Sequence, residues 1–398
     1  MELLKFLELY KNGREVEALK ILEKEYLVWG TELNGKVLLK YDRMADKSIP
    51  IVQECRGIIL SANGFEVVSI PLRKFGNLGE AYAPTDLDIT KCRILQKNDG
   101  SCFGLYWDQI NNLWCVQTLG QVEAEKTMRG FGKGTQFTDT WAQLFWNTFE
   151  KYTERKFLER LDKNWTYIFE LCTPWNKVVV TYNEPKLFFI AMRNKKTFKE
   201  AWTENSILYD VFDKPKVYNH TDINEIMRIA KEQLTKEDEG FVLVDENFRR
   251  VKIKSAQYVA EHYHSTTVTL ESIAQVIFLN EQDEWLLTFP EFKDVVDIMI
   301  DEINILGKQV DDYLALCLSK VKDKTDRKEL ALIVKVTKGS QVAHHYVFEL
   351  WKGTYESGAK ALMSFKKQEE LVHKVKLFLQ QSNVHQRVEH NPHTKSLR

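Results

Sequence analysis

Residues 95–101 read LQKNDGS: Lys97 leaves a short apolar run and is followed by Asp99 and Gly100. A lysine at a strand end, beside an acid and a glycine, suits a nucleophile that must meet a phosphate. Glycine lets the backbone bend and approach a ligand closely. An amine attacks phosphorus only when unprotonated, so such a site is expected to depress the ordinary lysine pKa of about 10.4 through nearby cations and desolvation. Lys, Asp and Gly are also common in surface turns, so the tetrad alone says little. Its company decides.

Downstream, RVKIK places Lys252 and Lys254 two residues apart, on one face of a strand. Two ammonium groups on one face repel unless an anion lies between them, and a triphosphate fits. Upstream, ECRGIIL offers Arg56 and PLRKFGNLGE offers Lys74. Arginine grips phosphate through a bidentate fork, and lysine acts as a point charge. Glu170 ends the apolar run WTYIFE, and Glu239 precedes Gly240 in DEGFVLV. Acids so placed are either turn residues or, in a phosphoryl-transfer site, holders of Mg²⁺ or of a ribose hydroxyl.

Outward from these segments, strand texture runs from Lys36 to Lys254: VLLKY, RGIIL, an Asn63-Gly64 hairpin turn, FEVVSI, CRILQK, CFGLYW, LWCVQTL, WTYIFELC, KVVVTY, KLFFIAM, GFVLV and RVKIK. Helix is expected over residues 1–30, over TDTWAQLFWNTFEKYTERKFLERL, and over TDINEIMRIAKEQL with Thr221 as N-cap. After about Ser255 the periodicity turns helical, with Phe292, Val295, Val296, Met299, Ile303, Leu306 and Val310 on one side of a long helix. The fold class expected is α+β: antiparallel sheets in residues 1–260, then an all-α domain over 261–385 and a disordered tail, 386–398.

Composition sets the outer bounds. The 398 residues exceed one ordinary domain, and 44% hydrophobic with 28% charged residues describes a globular chain with a sizeable core. No apolar run reaches the roughly 18 residues of a membrane span, and no signal peptide is recognisable, so an intracellular, cytoplasmic monomer without membrane contact is expected. The six cysteines form no CxxC pair and read as buried thiols rather than a zinc cage. A net charge of −1 leaves no overall basic field, so any nucleic acid must meet locally concentrated cations.

Taken in order, these segments resemble the nucleotidyltransferase motifs of the covalent ligase and capping-enzyme superfamily: Lys97–Gly100, then FELCTPWN through Glu170, EGFVLV through Glu239, and VKIK through Lys252 and Lys254. Within it the chain is similar to RNA ligases of the phage T4 RNA ligase 1 type. The likeness extends to ECRGIIL with KFGNLGE, to LFFIAMRN, to Ser101, and to VKIKSAQYV with Tyr258. It implies an ATP-dependent ligase that carries AMP on Lys97 and joins RNA 5′-phosphate and 3′-hydroxyl ends, of a nicked tRNA for example. Mg²⁺ or Mn²⁺ would be the cofactor. Lys252 and Lys254 would assist catalysis. Arg56, Lys74, Asp99, Gly100, Glu170, Glu239 and both late lysines would bind ATP, and Glu170, Glu239 and Tyr258 would serve the metal. The helical C-terminal domain would recognise RNA.

Two positions depart from the pattern. Gly76 stands where a second aromatic often follows Phe75, and Leu119 stands where relatives place a basic residue. A GTP-using capping-type enzyme and a catalytically weakened RNA-binding relative are the alternatives.

Overall fold

The computed structural model describes residues 1–80, 82–126, 140–262, 268–364 and 368–388. Two compact units divide the chain, Met1–His262 and Tyr263–Arg398.

The first unit begins with two helices, α1 (Glu2–Glu8) and α2 (Glu15–Tyr26), rather than the single one expected over residues 1–30. Asn12 and Gly13, at φ of 65° and 97°, break the helix, because a right-handed helix cannot pass through left-handed residues. Leu3, Leu7, Ala18 and Leu22 pack onto one face of an antiparallel sheet. That sheet has the order β1 (Val28–Leu33), β2 (Lys36–Tyr41), β3 (Arg56–Ser61), β4 (Val67–Ser69), with α3 (Pro50–Glu54) leading into β3. Gly64, at φ 79°, turns the β3–β4 hairpin at the expected Asn63-Gly64 pair.

The chain continues through β5 (Arg93–Gln96), β6 (Ser101–Asp108), β7 (Leu113–Thr118), α4 (Trp141–Phe149), β8 (Trp165–Cys172), β9 (Lys186–Asn194) and β10 (Glu200–Ala201). It ends this unit with β11 (Val217–Tyr218), α5 (Ile223–Glu232), β12 (Gly240–Val244), β13 (Arg250–Lys254) and α6 (Ala256–His262). Two more antiparallel sheets result, ordered β10-β9-β8-β6-β7 and β11-β5-β12-β13. Alternation along β6, β8 and β9 sends Phe103, Phe169 and Phe189 into a core with Phe145 and Phe149 of α4. In the third sheet Phe241, Leu243, Val251 and Ile253 face α5, which leaves Val242, Val244, Lys252 and Lys254 for the opposite face. Asp222, not Thr221, caps α5, its carboxylate accepting the Asn224 N–H at 2.9 Å. KVVVTY forms no strand; Val179 and Val180 lie in a bend whose amides are used elsewhere.

The second unit is helical among its described residues: α7 (Leu270–Phe278), α8 (Gln282–Thr288), α9 (Lys293–Leu318), α10 (Arg327–Val336), α11 (Gln341–Trp351), α12 (Gly358–Met363), α13 (Gln368–Gln381) and α14 (Val384–Val388). The apolar side read along α9 is buried from Val295 to Val310. Gly307 is where α12 crosses: a Cβ there would lie 2.3 Å from the Ala359 nitrogen. α14 extends to Val388, into the stretch expected to be disordered, and 389–398 lie outside the described residues.

Candidate active site

Lys97 follows β5 directly, and its N–H donates to the Gly240 carbonyl at 2.9 Å. This bond ties the nucleophile's backbone to the start of β12. Gly240 sits at φ 134°, and a Cβ there would meet the Ile253 carbonyl at 2.1 Å. Only glycine allows that hairpin to close. The register then pairs Gly240 with Lys254 and Val242 with Lys252. The side chains meet accordingly. Lys97 Nζ lies 2.7 Å from Glu239 Oε1, and Lys254 Nζ lies 3.7 Å from the same oxygen. One carboxylate, 5% exposed, therefore serves two lysines.

Lys74 is brought in by the backbone. Its N–H donates to the Gln53 carbonyl at 3.0 Å, and the Gly76 and Leu78 backbone pairs with Lys252 at 3.0 and 2.9 Å. Burial, with Lys252, Arg56 and Lys47 nearby, lowers its pKa from the ordinary 10.5 to about 7. Lys97, for its part, is ion-paired. Glu170 moves the other way, pushed up to about 8 by burial; Lys97 opposes this, Glu239 adds to it, Arg56 opposes and Asp99 adds.

A cavity of about 280 Å³ lies between the second and third sheets. Leu95, Val242 and Val244 form one apolar wall, with Leu72, Phe75 and Ile190 across from them, and Arg56, Lys97, Asn98 and Glu170 supply polar groups. A cavity of mixed apolar and charged lining fits a base joined to a phosphate. Asn98 is 7% exposed and its Oδ1 has no hydrogen-bond partner, so the cavity holds one unsatisfied acceptor. Leu119 lines the same cavity, so the expected cation is replaced there by an apolar wall. At Gly76 a Cβ would meet the Glu80 carboxylate at 2.8 Å and the Tyr82 ring at 3.1 Å, so a larger residue there must displace both side chains.

Three of the expected ligand residues make structural contacts. Asp99 is 5% exposed and fully engaged: the Val179 and Val180 N–H groups donate to Oδ2 at 2.9 and 2.8 Å, and the Tyr258 hydroxyl donates to Oδ1 at 2.9 Å. It fastens the loop after Lys97. Tyr258, 2% exposed, is its partner. Gly100 is needed because a Cβ would stand 2.4 Å from the Leu171 carbonyl, so its closeness is to β8. Ser101 accepts from Asn176 Nδ2 at 3.0 Å, and this amide also donates to the Leu171 carbonyl at 2.6 Å, fixing the turn after Glu170. Arg250 was missed, although the alternation that pairs Lys252 with Lys254 puts it on the same face. It lines the cavity and is ion-paired with Glu200 at 2.7 Å.

Among the described residues no group of three or more His, Cys, Asp or Glu is placed to hold a metal ion. Two carboxylates, Glu170 and Glu239, suit an ion that completes its shell with phosphates and waters, as Mg²⁺ does.

The sequence profile of the RNA ligase family of T4 RNA ligase 1 type matches residues 54–258, just over half of the chain. The chain belongs to this RNA ligase family. Among its relatives, the RNA ligase of Rhodothermus phage RM378 is 29% identical over 299 residues, spanning 61% of this chain and 68% of the phage protein. Among solved structures, an archaeal ATP-dependent RNA ligase superposes with a TM-score of 0.43 at 13% identity, over 65% of each chain. A Naegleria gruberi RNA ligase with pyrophosphate gives 0.34 at 13% identity, over 44% of this chain and 52% of that one. The matched region thus spans less than two thirds of either solved chain. The family's span contains every site residue above, from Arg56 to Tyr258. No helix among the described residues is long and apolar enough to cross a membrane.

Proposed function

We propose that this RNA ligase family member joins RNA 5′-phosphate and 3′-hydroxyl ends at the expense of ATP, through AMP carried on Lys97. The supporting observation is the Glu239 carboxylate shared by Lys97 and Lys254, with Lys97 lining a nucleotide-sized cavity. In the first step Lys97 gives up a proton, for which Glu239 at 2.7 Å is the nearest acceptor, and its lone pair attacks the α-phosphorus. An N–P bond forms, the P–O bond to the β-phosphate breaks, and that electron pair leaves with pyrophosphate. Arg56, Lys74, Lys252 and Lys254 stabilise the charge gathering on phosphate oxygens. In the second step an oxygen of the RNA 5′-phosphate attacks the same phosphorus and the P–N pair returns to Lys97, which regains its proton. In the third, a 3′-hydroxyl attacks the RNA 5′-phosphorus, loses its proton and expels AMP. Mg²⁺ or Mn²⁺ held by Glu170 and Glu239 would neutralise charge on the transferring phosphate, and ligation by Glu170 requires loss of the proton it holds below about pH 8.

The test is incubation with α-labelled ATP and Mg²⁺, then denaturation. Wild type retains label and Lys97→Ala does not; a wild type that takes no label over a range of metals and pH sinks the reading. A nicked tRNA stem-loop set against a linear oligonucleotide then tests the RNA class.

A further inference from the structure

Beside the nucleotide cavity, and sharing Phe75 and Arg250 with it, lies a larger basin of about 750 Å³ in the first unit. Six cations line it, Arg73, Lys74, Arg193, Lys199, Arg249 and Arg250, with Glu200 and Glu246 beside them. Arg73 pairs with Glu54, Arg249 with Asp86 and Asp245, and Arg193 and Arg250 with Glu200, which leaves Lys74 and Lys199 as the cations most available to a phosphate. In a chain of net charge −1 this is the local concentration of positive charge that a polyanion requires. Its volume, more than twice that of the nucleotide cavity, suits a strand rather than one mononucleotide.

The basin is also built. Two phenylalanines on its wall, Phe198 at the tip of the β9–β10 hairpin and Phe248 at the tip of β12–β13, have φ of 60° and 59°. A bulky residue in the left-handed region costs on the order of 1–3 kcal/mol and persists only where its surroundings hold it. Here they do. Arg193 donates to the Phe198 carbonyl at 3.3 Å and Arg250 to the Phe248 carbonyl at 3.0 Å. Glu200 lies between the two arginines, 2.7 Å from Arg250 and 3.9 Å from Arg193. Two hairpins from different sheets are thereby fixed with their cations on one wall. Phe248 packs on Trp202, with ring centroids 4.7 Å apart, and Phe198 on the core of the first sheet, so the wall meets single-stranded nucleic acid through backbone charge.

In-line displacement identifies the strand. Pyrophosphate leaves the α-phosphorus on the side opposite Lys97, and the RNA 5′-phosphate must attack the resulting lysyl-AMP from that vacated side. Lys74, expected to bind ATP, lines the basin. We infer that the basin binds the RNA strand ending in 5′-phosphate and delivers that phosphate past Lys74 to the nucleotide cavity. This rests on the ligase reading above.

The test uses the full chain with Lys199→Glu and Arg73→Gln, singly and together, and a short 5′-phosphorylated single-stranded oligonucleotide. The exposed Lys199 variant guards against misfolding. The variants form lysyl-AMP at wild-type yield, whereas the double variant binds RNA at least about tenfold more weakly, and its salt dependence is shallower by about 0.7 in log–log slope for each phosphate left without its cation. Unchanged RNA affinity and slope in a double variant that still carries AMP overturns the basin assignment. A defect confined to pyrophosphate-driven release of AMP, with RNA binding intact, overturns it in favour of an exit for pyrophosphate. If wild type takes no label, the ligase reading fails by itself, and RNA binding insensitive to both substitutions still overturns the basin.

Discussion

Lys36 and Lys74 are both lysines withdrawn from water in the first unit, and they are treated oppositely. Lys36, fully buried, meets Asp108 and, at 2.7 Å, Glu123. Burial acts against its charge, yet the two carboxylates outweigh it and raise its pKa. Lys74 meets Lys252, Arg56 and Lys47, and its pKa falls to about 7. Burial alone therefore does not tell a structural lysine from a functional one. The sign of the neighbours does: a region built for folding balances its charge internally, whereas a region built for a polyanion leaves a surplus for the ligand to neutralise.

Five changes would break or sharpen this contrast. The largest effect is expected at Lys97→Arg, which keeps the cation beside Glu239 but removes the nucleophilic amine. Covalent labelling should vanish while thermal unfolding stays near wild type, and residual label would mean another residue carries the AMP. Next is Lys36→Met, which strands the Asp108 carboxylate in the core. Urea unfolding should show a loss of roughly 3–5 kcal/mol, with labelling retained at permissive temperature. Lys74→Met should do the reverse, relieving repulsion and leaving stability equal or higher. Without charge-assisted hydrogen bonds from this side chain to phosphate, ATP binding should weaken by on the order of ten- to a hundredfold in calorimetry.

pH sharpens the contrast further. With Lys74 near 7 in the free protein, phosphate binding must return a proton to it. ATP affinity should therefore fall as pH rises above about 7, by up to one log unit per pH unit, and Lys74→Arg should flatten the profile. A second pH effect belongs to Glu170. Its folded pKa of about 8 exceeds the ordinary 4.5, so the folded state holds the extra proton between these values. The stability from Glu170 is complete below about 4.5 and is lost as pH rises toward 8, whereas Glu170→Gln should lack that slope in denaturant titrations.

Much of this was legible because period-two alternation is local. RVKIK and GFVLV declare their faces without outside information, and the same rule, followed one step further back, reaches Arg250. What stayed hidden depends on partners far along the chain. KVVVTY has strand composition, yet two of its amides are claimed by Asp99, some 80 residues earlier. Asp99 resembles a site acid in the tetrad, and its engagement with Tyr258 shows only once the chain has folded. The break at Asn12 and Gly13 was readable in principle, since KNG is a turn signal, but the apolar periodicity on either side masked it. Lys74 gave no sign of its depressed pKa because Lys252 lies 178 positions away and meets it only through the backbone pairing of residues 76–78 with β13.

The Asp99 carboxylate has a consequence for how the nucleophile is kept in place. By gripping the 179–180 bend with one oxygen and Tyr258 with the other, it knots three distant stretches of chain within two residues of Lys97. Cutting the peptide at that bend, or exchanging Asp99 for a group with fewer acceptors, would loosen the amine's aim without touching any atom that faces ATP. Damage far from the chemistry would then surface as slow adenylylation.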